Sequence, residues 1–482
     1  MTLGWALIGV GIAVRSVQYF ANRSLWYDEA LLARNIVGRS FAGLLLPLER
    51  SGAPVGFLMV EKLSVDAFGP SEWALRLLPF LASLVSLVLF YWLAQRAVSE
   101  TAVPIAVGLF AFGEPLIYYA SEVKQYATDV TFTIMVLLLT LAILERDELT
   151  PAWIGGYGLA GAIAVWFSHP SVFVLAACGL TLVWMWRGSR PKLVGLGVIA
   201  AIWLSNMGAV YLINLKPLAA NQRMLTFWAS EFMPLPPRSL SDLGWLPRHL
   251  MELFHNPLGL SSSGIGLLAF IVGCAALYRQ RRGLLPITGL ILAFVLAASA
   301  LHKYPFMGRL LLFLVPCLIL IVAEGASAMV RGGDGQFTVA GAVVLMILFF
   351  HPAAVATINL VRPQYHEEVR PLLDYYQTAR RKGDVLYLYY GAQPAFDFYR
   401  NEPRHGDLIR GGESRDDPSR YAAEVKGLRD HRRVWLLFSH VYRGDGVDEE
   451  KLILQALDAM GKRVDGRTTP GASLYLYQLT AE

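Results

Sequence analysis

Charged side chains are scarce in this sequence. Asp, Glu, Lys and Arg make up 16% of its 482 residues, while hydrophobic residues make up 55%. A soluble protein of this size carries about 25% charged residues, so the scarcity of charge argues against a soluble enzyme and indicates a membrane protein. The net charge of +5 is small. Because the basic residues are scattered or lie at loop ends, nucleic-acid binding has no support.

Cysteine is also rare. Cys178, Cys274 and Cys317 all lie inside apolar segments, where they are expected to pack as small core residues rather than to form disulfides or bind a metal. The sequence has no P-loop, no dinucleotide-binding fingerprint and no His-Glu-x-x-His motif. No lysine or arginine precedes Arg15. That is a poor start for a signal peptide, so the first apolar segment is predicted to be a retained span.

Long apolar runs are what the sequence does contain. Runs of the length needed to cross roughly 30 Å of hydrocarbon recur up to about residue 360. They predict about eleven transmembrane helices, near residues 3–20, 73–95, 102–120, 128–145, 152–168, 171–186, 193–213, 264–279, 284–301, 306–330 and 337–360. The runs are too long and unbroken for barrel strands, so the predicted fold is mostly α and polytopic.

The positions of lysine and arginine predict the orientation in the membrane. With the N-terminus in the cytoplasm, basic residues collect in the cytoplasmic turns, at Arg96, Arg146, 187–192, Arg279, Arg281, Arg282 and Arg331. The short outer turns then carry little beyond Lys124 and Lys303. This bias predicts a multi-pass protein of the cytoplasmic (inner) membrane. Its outer loops, 21–72 and 214–263, and its C-terminal domain are expected outside the cytoplasm.

Both long outer loops carry helical patterns. In the first, one side of a predicted helix is apolar, with Phe57, Val60, Leu63, Ala67 and Phe68, and the other side carries Lys62 and Asp66. This pattern is typical of a helix that lies in the membrane interface. The second loop is rich in aromatics and prolines and ends in an amphipathic patch, 246–254. Loops of this length tend to be lids or binding segments.

The composition changes at about residue 361, where charge rises and the long apolar runs end. Helices are predicted at Glu367–Arg381, Gln393–Arg400, Ser419–Asp430 and Glu449–Met460, and strands at Asp384–Tyr390, Arg433–His440 and Ser473–Leu479. Alternation of helices with short apolar strands predicts a soluble α/β domain with a parallel sheet. The predicted division is therefore a membrane domain over 1–360 and an extracytoplasmic domain over 361–482.

Two adjacent carboxylates, Asp28 and Glu29, follow the first span directly. Trp26 and Tyr27 precede them, and both residue types favour the headgroup level of a membrane. Neighbours on a helix are about 100° apart, so at most one of the two carboxylates can face a reaction centre. Asp28 could act as a general base, or it could be only the N-cap of an amphipathic helix, a role for which Ser24 is also available.

Two short outer turns carry further candidates. The turn between the third and fourth spans combines Glu122 and Lys124 with several tyrosines, among them Tyr126. Lys124 could pair with a phosphate, and Glu122 could pair with Lys124, with Arg34 or with a metal ion. The alternative is an ordinary turn whose long charged side chains snorkel to the membrane surface. His169 stands beside a proline in the next outer turn, where a lone histidine is more often structural than catalytic.

The last outer turn brings cations to the same membrane face. Lys303 is expected at the outer surface, followed by Tyr304, and Arg309 about one turn inside the tenth span. A charge at that depth is costly unless it faces a polar cavity or a partner, so Arg309 is a functional candidate. Lys303 and Arg309 would suit an anionic headgroup. Arg15, inside the first span, could do the same or could only snorkel.

Four stretches, in this order, resemble the GT-C class of membrane glycosyltransferases, in the branch of the protein O-mannosyltransferases and the lipid A aminoarabinose transferase. They are Tyr-Asp-Glu-Ala at 27–30, the stretches 68–77 and 119–126, and 304–309. The resemblance implies a sugar donor on a polyprenyl phosphate, presented at the outer leaflet. It puts Asp28 at the position of the presumed base and Glu122 at that of the acidic residue of the second outer turn.

The remaining candidates are expected to bind substrate: Tyr27, Glu29, Lys124, Tyr126, His169, Lys303, Tyr304 and Arg309. The resemblance also implies a basic residue before a proline-containing stretch in the first loop. Here that stretch is Arg50-Ser51-Gly52-Ala53-Pro54. Its serine-glycine departs from the commoner form, which leaves the role of Arg50 open.

The expected chemistry needs few groups. A phosphate leaving group requires charge neutralisation, by Lys, Arg or a metal ion, but no proton. The acceptor hydroxyl must lose a proton, which a carboxylate within hydrogen-bond reach can take. An inverting single displacement with Asp28 as base is therefore the simplest hypothesis. It requires no cofactor, although a divalent cation could bind through Asp28 and Glu122.

The expected partners are the lipid-linked donor, membrane lipids and a glycan, lipid or protein acceptor. Two alternatives stay open at this point. One is an oligosaccharyltransferase or ligase with a polyprenyl-diphosphate donor, for which dependence on a divalent ion would speak. The other is a lipid or solute transporter, although transporters usually hold their ionisable groups near the midplane of the membrane.

Overall fold

The structure is a computed structural model that describes residues 2–219, 222–280, 283–331, 335–399, 407–415, 417, 419–444 and 446–480. Arg281, Arg282 and Arg400, which belong to predictions above, lie outside the described residues. Contacts divide the chain into two compact units. The first comprises Met1–Ala21, Ser40–Pro47 and Gly52–Pro363, and the second Asn22–Arg39, Leu48–Ser51 and Gln364–Glu482. The predicted domain boundary at residue 360 stays a prediction.

The helices follow one another along the whole chain. They are α1 Thr2–Phe20, α2 Tyr27–Gly38, α3 Val55–Phe68, α4 Glu72–Ala97, α5 Val103–Phe112, α6 Glu114–Tyr118, α7 Tyr126–Leu144, α8 Pro151–Phe167, α9 Ser171–Met185, α10 Arg190–Val210, α11 Lys216–Ala219, α12 Gln222–Phe227, α13 Leu240–His255, α14 Ser263–Gln280, α15 Leu284–Ala300, α16 Val315–Arg331, α17 Gly335–Val361, α18 Arg370–Ala379, α19 Gln393–Tyr399, α20 Ser419–Lys426 and α21 Glu449–Asp458. Two short 3-10 helices matter below, Tyr119–Ser121 and Gly308–Leu314.

Apolar helices dominate the first unit. By length and composition, the described residues contain seven helices that could cross a membrane. Helix α5 and the segment 114–121 form a pair bent by 55°, which adds an eighth span if the pair crosses as one. Helices α8, α9 and α15 are apolar but shorter. Each of the predicted apolar runs falls on a helix, and the predicted mostly α, polytopic fold is confirmed. By length, seven or eight of the described spans qualify, and the number of about eleven stays a prediction.

Helix α3 confirms the helix predicted within 21–72, while its placement in the membrane interface stays a prediction. Phe57, Leu58 and Glu61 are fully buried, whereas Leu63 and Phe68 are exposed. The buried face packs against α4, where the Ser64 hydroxyl donates to the carbonyl of Ala74 at 2.6 Å. Tertiary packing therefore selects a face that includes a carboxyl group, which hydrophobic periodicity alone does not indicate.

Arg15 in α1 neither snorkels nor faces a headgroup, because its side chain is fully buried within the first unit. Its guanidinium donates hydrogen bonds to the hydroxyl of Ser83 at 2.9 Å and to the carbonyls of Gly11, Phe110 and Ala111 at 3.1, 3.0 and 2.8 Å. The last two carbonyls end α5 at the bend before α6, where helical N–H partners are lost. Arg15 therefore stabilises the broken helix pair.

The second unit holds the strands of the structure. These are β1 Val385–Leu388, β2 Leu408–Arg410, β3 Arg433–Ser439, β4 Arg443–Gly444, β5 Val447–Asp448, β6 Gly461–Thr469 and β7 Ala472–Leu479. Five of them form one sheet in the order β2-β1-β3-β7-β6, while β4 and β5 pair separately. The predicted α/β character of the C-terminal region is confirmed.

The prediction of a parallel sheet is right for the pairs β2–β1 and β1–β3. It is wrong for the pairs β3–β7 and β7–β6, which are antiparallel. The physical reason is the short connection between β6 and β7, because a turn of two residues can only join antiparallel neighbours. Gly471 in that turn has a φ of +67°, and a Cβ there would lie 2.0 Å from the carbonyl of His366. Strand β6 is not among the predicted strands because its sequence is polar and exposed.

Candidate active site

The N-terminus of α2 separates the two adjacent carboxylates. The helix begins at Tyr27 with Trp26 as its N-cap, so the prediction that Asp28 or Ser24 is the N-cap is wrong. The buried carboxylate of Glu29 accepts a hydrogen bond from the backbone N–H of Trp26 at 3.4 Å. Asp28 is half-buried. Of the two carboxylates, Glu29 is therefore used within the fold and Asp28 is the more accessible.

Tyr27 is held between two side chains of the second unit. Its ring stacks on the imidazole of His440, with centroids 4.4 Å apart and planes 11° apart. Its hydroxyl accepts a hydrogen bond from the guanidinium of Arg50 at 2.9 Å. Arg50 has a φ of +53°, an uncommon backbone conformation for a residue other than glycine. The structure thus gives Arg50, whose role the sequence leaves open, a contact beside the carboxylate pair.

The turn of Glu122 and Lys124 follows the bent helix pair in the first unit. Both side chains are buried, with exposed fractions of 0% and 8%, so this is not a turn whose lysine snorkels to the surface. The carbonyl of Glu122 accepts the N–H of Lys124 at 2.6 Å. Acids and lysines are almost never fully buried unless they are paired. Burial of one of each within three residues is therefore a sign of a functional or tightly paired site.

Tyr126 and Arg309 meet in the same unit. The guanidinium of Arg309 lies 5.9 Å from the centre of the Tyr126 ring, a distance at which a cation is attracted to the ring face. The edge of Tyr119 contacts the same ring, with centroids 5.1 Å apart. Arg309 is the second residue of the 3-10 helix Gly308–Leu314. It therefore lies at the start of the span, not one turn inside as predicted, because the chain turns at Gly308, whose φ is +38°.

Tyr304 joins this group. Its hydroxyl donates to the carbonyl of Leu310 at 2.7 Å. Burial, followed by the charges of Asp129 and Tyr126, raises the pKa of Tyr304 well above its usual value. The phenol therefore stays protonated and remains a donor. Lys303, one residue earlier, is exposed, and its place at the outer surface stays a prediction.

Asp129 is a candidate that the sequence analysis misses. It lies in the first turn of α7 and is buried. The available signal is its position three residues after Tyr126, which places both side chains on one helix face. The residue is easily overlooked because the apolar run that predicts the fourth span already includes it.

His169 is tied to two other segments of the first unit. Its Nε2–H donates to Oδ1 of Asn214 at 2.5 Å, and Nδ2 of Asn214 donates to the carbonyl of Ala53 at 3.2 Å. Burial lowers the pKa of His169 to about 4, so the ring is neutral at neutral pH and offers no positive charge to a phosphate. These contacts suit the structural alternative, and substrate binding by His169 stays a prediction.

The low pKa of His169 should make stability depend on pH. In the unfolded chain, His169 has a pKa of about 6.5 and binds a proton below that pH. In the folded chain, His169 binds the proton only near its lowered pKa of about 4. The free energy of unfolding should therefore fall on acidification across this window, by at most about 1.4 kcal/mol per pH unit. His169→Gln, which can still donate to Asn214, should lose this slope. The test is to measure the melting temperatures of wild type and His169→Gln from pH 7.5 to pH 4.5. An equal fall of the melting temperature in both proteins would contradict the prediction.

The predicted site residues are distributed over both units. Tyr27, Asp28 and Glu29 belong to the second unit, and the other predicted residues belong to the first. Within the first unit, the structure brings together Tyr126, Tyr304 and Arg309. Among the described residues, no group of three or more His, Cys, Asp or Glu side chains is arranged to hold a metal ion. No step proposed below depends on a metal, and the possible divalent cation stays a prediction.

Comparisons with known proteins agree with this architecture. Residues 51–207 match the sequence model of the family described as dolichyl-phosphate-mannose-protein mannosyltransferase. The fold is similar to the crystal structure of ArnT from Cupriavidus metallidurans bound to undecaprenyl phosphate, with a TM-score of 0.55, 14% identity and coverage of 99% of this chain and 98% of that one. The chain has the GT-C fold.

Two further structures with the GT-C fold come from Archaeoglobus fulgidus. One is its oligosaccharyltransferase in complex with zinc and sulfate, with a TM-score of 0.54, 11% identity and coverage of 90% of this chain and 67% of that one. The other is the oligosaccharyltransferase AglB with an inhibitory peptide and a dolichol-phosphate, with a TM-score of 0.53, 11% identity and coverage of 98% and 74%. A search of curated proteins finds no match to this sequence. Together, fold and family model support a membrane glycosyltransferase.

Proposed function

We propose that this protein transfers a sugar from a polyprenyl-phosphate donor to a lipid, glycan or protein acceptor at the outer face of the cytoplasmic membrane. The observation that carries the proposal is the shared fold, over 99% of this chain, with ArnT solved with undecaprenyl phosphate. The family model is named for a dolichyl-phosphate-mannose donor and supports the same donor class. The distribution of lysine and arginine supports an N-terminus in the cytoplasm and a C-terminal domain outside it.

The proposed step is a single displacement with inversion. The acceptor oxygen attacks the anomeric carbon, the bond from that carbon to the phosphate oxygen breaks, and the phosphate leaves with the bonding electrons. Asp28 takes the proton of the acceptor hydroxyl. Arg309 and Lys124 neutralise the charge of the leaving phosphate. A covalent glycosyl-enzyme would contradict this mechanism.

Arg309 is well suited to the phosphate. Its contact with the Tyr126 ring orients the guanidinium, and a planar guanidinium can bind phosphate through two parallel hydrogen bonds. The buried Glu122 is proposed as the second catalytic carboxylate, next to the buried Lys124. Tyr27, Glu29, His169, Lys303 and Tyr304 remain proposed substrate-binding residues.

A diphosphate-linked donor is the second candidate, because the fold is shared with an oligosaccharyltransferase. Such a donor carries a second phosphate, so its reaction calls for more cationic groups or for a divalent cation. A transporter is the candidate from another class. The buried Arg15 offers it little support, because its guanidinium is engaged by acceptors within the protein.

The donor class can be tested with purified protein in lipid vesicles. We expect turnover of a radiolabelled polyprenyl-phosphate sugar, through transfer or hydrolysis, that is faster than turnover of the matching diphosphate donor. Vesicles without protein are the control, and each assay is run with EDTA and with added magnesium. Turnover of the diphosphate donor alone, with a requirement for magnesium, would overturn the proposal in favour of a ligase. Solute uptake driven by a proton or sodium gradient, without turnover of either donor, would indicate a transporter.

A further inference from the structure

The first turn of helix α2, which carries Asp28, receives an acceptor from the C-terminal part of the chain. Its N-cap residue is Trp26, and Glu29 of the helix itself accepts the backbone N–H of Trp26. The first N–H groups of a helix have no partner within the helix and need acceptors from elsewhere. For Tyr27 the acceptor is Oε2 of Glu367 at 3.0 Å, 340 residues further along the chain. A carboxylate at this end also interacts favourably with the helix dipole.

The segment before α2 is bound in the same way. The carboxylate of Glu368 accepts both the N–H and the hydroxyl of Ser24, at 2.9 and 3.0 Å. The N–H of Leu25 donates to the hydroxyl of Tyr399 at 2.7 Å. Three backbone donors around the start of α2 therefore depend on side chains of the C-terminal part of the second unit. No residue in the loop itself supplies these acceptors.

The two capping carboxylates are themselves fixed. Glu367 and Glu368 are 3% and 7% exposed. Glu367 accepts hydrogen bonds from the hydroxyl of Ser439 at 3.0 Å and from Nδ1 of His440 at 2.9 Å. The N–H of Glu368 donates to the carbonyl of Pro470 at 2.8 Å. Strand β3 and the β6–β7 turn thus set where the carboxylates lie.

Aromatic and ionic contacts add to this attachment. The ring of Trp26 stacks on His366, with centroids 4.8 Å apart and planes 15° apart. Helix α19 packs along α2, and its Asp397 lies 3.2 Å from the guanidinium of Arg34. The helix is thus held at its N-terminus and along its length. Hydrogen bonds to a carboxylate, such as those to the buried Glu367, are stronger than hydrogen bonds between neutral groups.

We propose that the C-terminal α/β domain positions Asp28: Glu367 caps the helix that carries Asp28, and Glu368 fixes the segment before it. Glu367 and Glu368 are positioning residues, since they act through α2 and not on the substrate. The inference rests on the proposed role of Asp28 as the base. A displacement of a reacting group by about 1 Å can reduce a rate by about 100-fold, so a loosened cap should be visible in turnover.

The test compares Glu367→Gln, Glu368→Gln and the double variant with wild type in the full-length protein. The matched control is Glu450→Gln, which removes the charge of a buried carboxylate that accepts hydrogen bonds from Arg443, Ser473 and Tyr475 in the same domain. Hydrogen exchange of peptides covering residues 22–31 reports the cap directly. Kinetics with the radiolabelled polyprenyl-phosphate sugar report kcat and KM for the donor separately.

We expect faster amide exchange in residues 22–31 and a kcat lowered about 10-fold or more in the double variant, with KM for the donor unchanged. Glu450→Gln should change neither quantity. Unchanged exchange in the Glu367 and Glu368 variants would overturn the capping. Faster exchange with unchanged kcat would overturn the positioning role, and an equal loss of kcat in Glu450→Gln would do the same by indicating general destabilisation.

Failure of the inference can be told apart from failure of the proposed function. Hydrogen exchange needs no substrate and tests the cap even if the chosen donor is not turned over. If Asp28→Asn keeps wild-type turnover, Asp28 is not the base, and a loss of kcat in the Glu367 variant then cannot arise through it. That combination would also overturn the positioning role.

Discussion

Asp28→Asn should lower kcat by about 10²- to 10⁴-fold, the contribution that a positioned general base makes, while donor binding is retained. Asparagine has nearly the shape of aspartate but cannot take up the proton of an acceptor hydroxyl. Glu29 should not replace it, because its carboxylate is buried and accepts the N–H of Trp26. The loss should therefore be in the chemical step and not in assembly of the helix.

Turnover and equilibrium binding of the polyprenyl-phosphate sugar, measured on the same folded preparation in lipid, separate these two effects. Asp66→Asn is the matched control, since it neutralises a carboxylate that only pairs with Lys62 one helical turn away at 3.1 Å. It should turn over at the wild-type rate. If Asp28→Asn does so too, Asp28 has only a structural role, and Glu122 becomes the candidate base.

Arg15→Met should destabilise the protein by roughly 2–4 kcal/mol, because each buried acceptor left without a donor costs about 1–3 kcal/mol. The variant keeps an apolar side chain of similar length but leaves the carbonyls of Phe110 and Ala111 without the guanidinium. These carbonyls lie at the 55° bend of a helix pair. Loss of Arg15 should therefore loosen the bend and the turn of Glu122 and Lys124 that follows it.

Thermal unfolding in one detergent, followed by loss of soluble protein, measures this effect. The control is Arg96→Met, which removes an exposed arginine 3.7 Å from Glu145 and should change stability by less than about 1 kcal/mol. Arg15→Lys should recover part of the loss, since it keeps the charge and three donors. Equal melting of Arg15→Met and wild type would mean that the bend is stable without the guanidinium.

The membrane part of the fold could be predicted from the sequence because its main requirement is local. A helix that crosses lipid needs a long apolar run, and every predicted run lies on a helix. Strands β1, β3 and β7 could be predicted for a similar reason, since they are buried and apolar. Strand β6 could not, because its residues are polar and it pairs on one side with β7.

The candidate site could be predicted in residue type but not in arrangement. Acids and bases in turns between spans mark Asp28, Glu122 and Arg309 in the sequence. Their surroundings depend on residues that are distant in the chain, such as Tyr126 beside Arg309. The burial of Glu122 likewise cannot be deduced from a turn that looks exposed. Asp129 has no sequence signal strong enough to distinguish it from the apolar run around it.

The sequence by itself determined the membrane class, the succession of helices and the acidic loop after the first span, because each depends on the composition of one contiguous stretch. Only the tertiary structure decided which groups complete that loop. The cap of α2 comes from Glu367, 340 residues away, and the bend after α5 is stabilised by Arg15, 95 residues before its acceptor Phe110. Backbone groups left unpaired by local structure must find partners wherever folding brings them, and no local pattern encodes that choice.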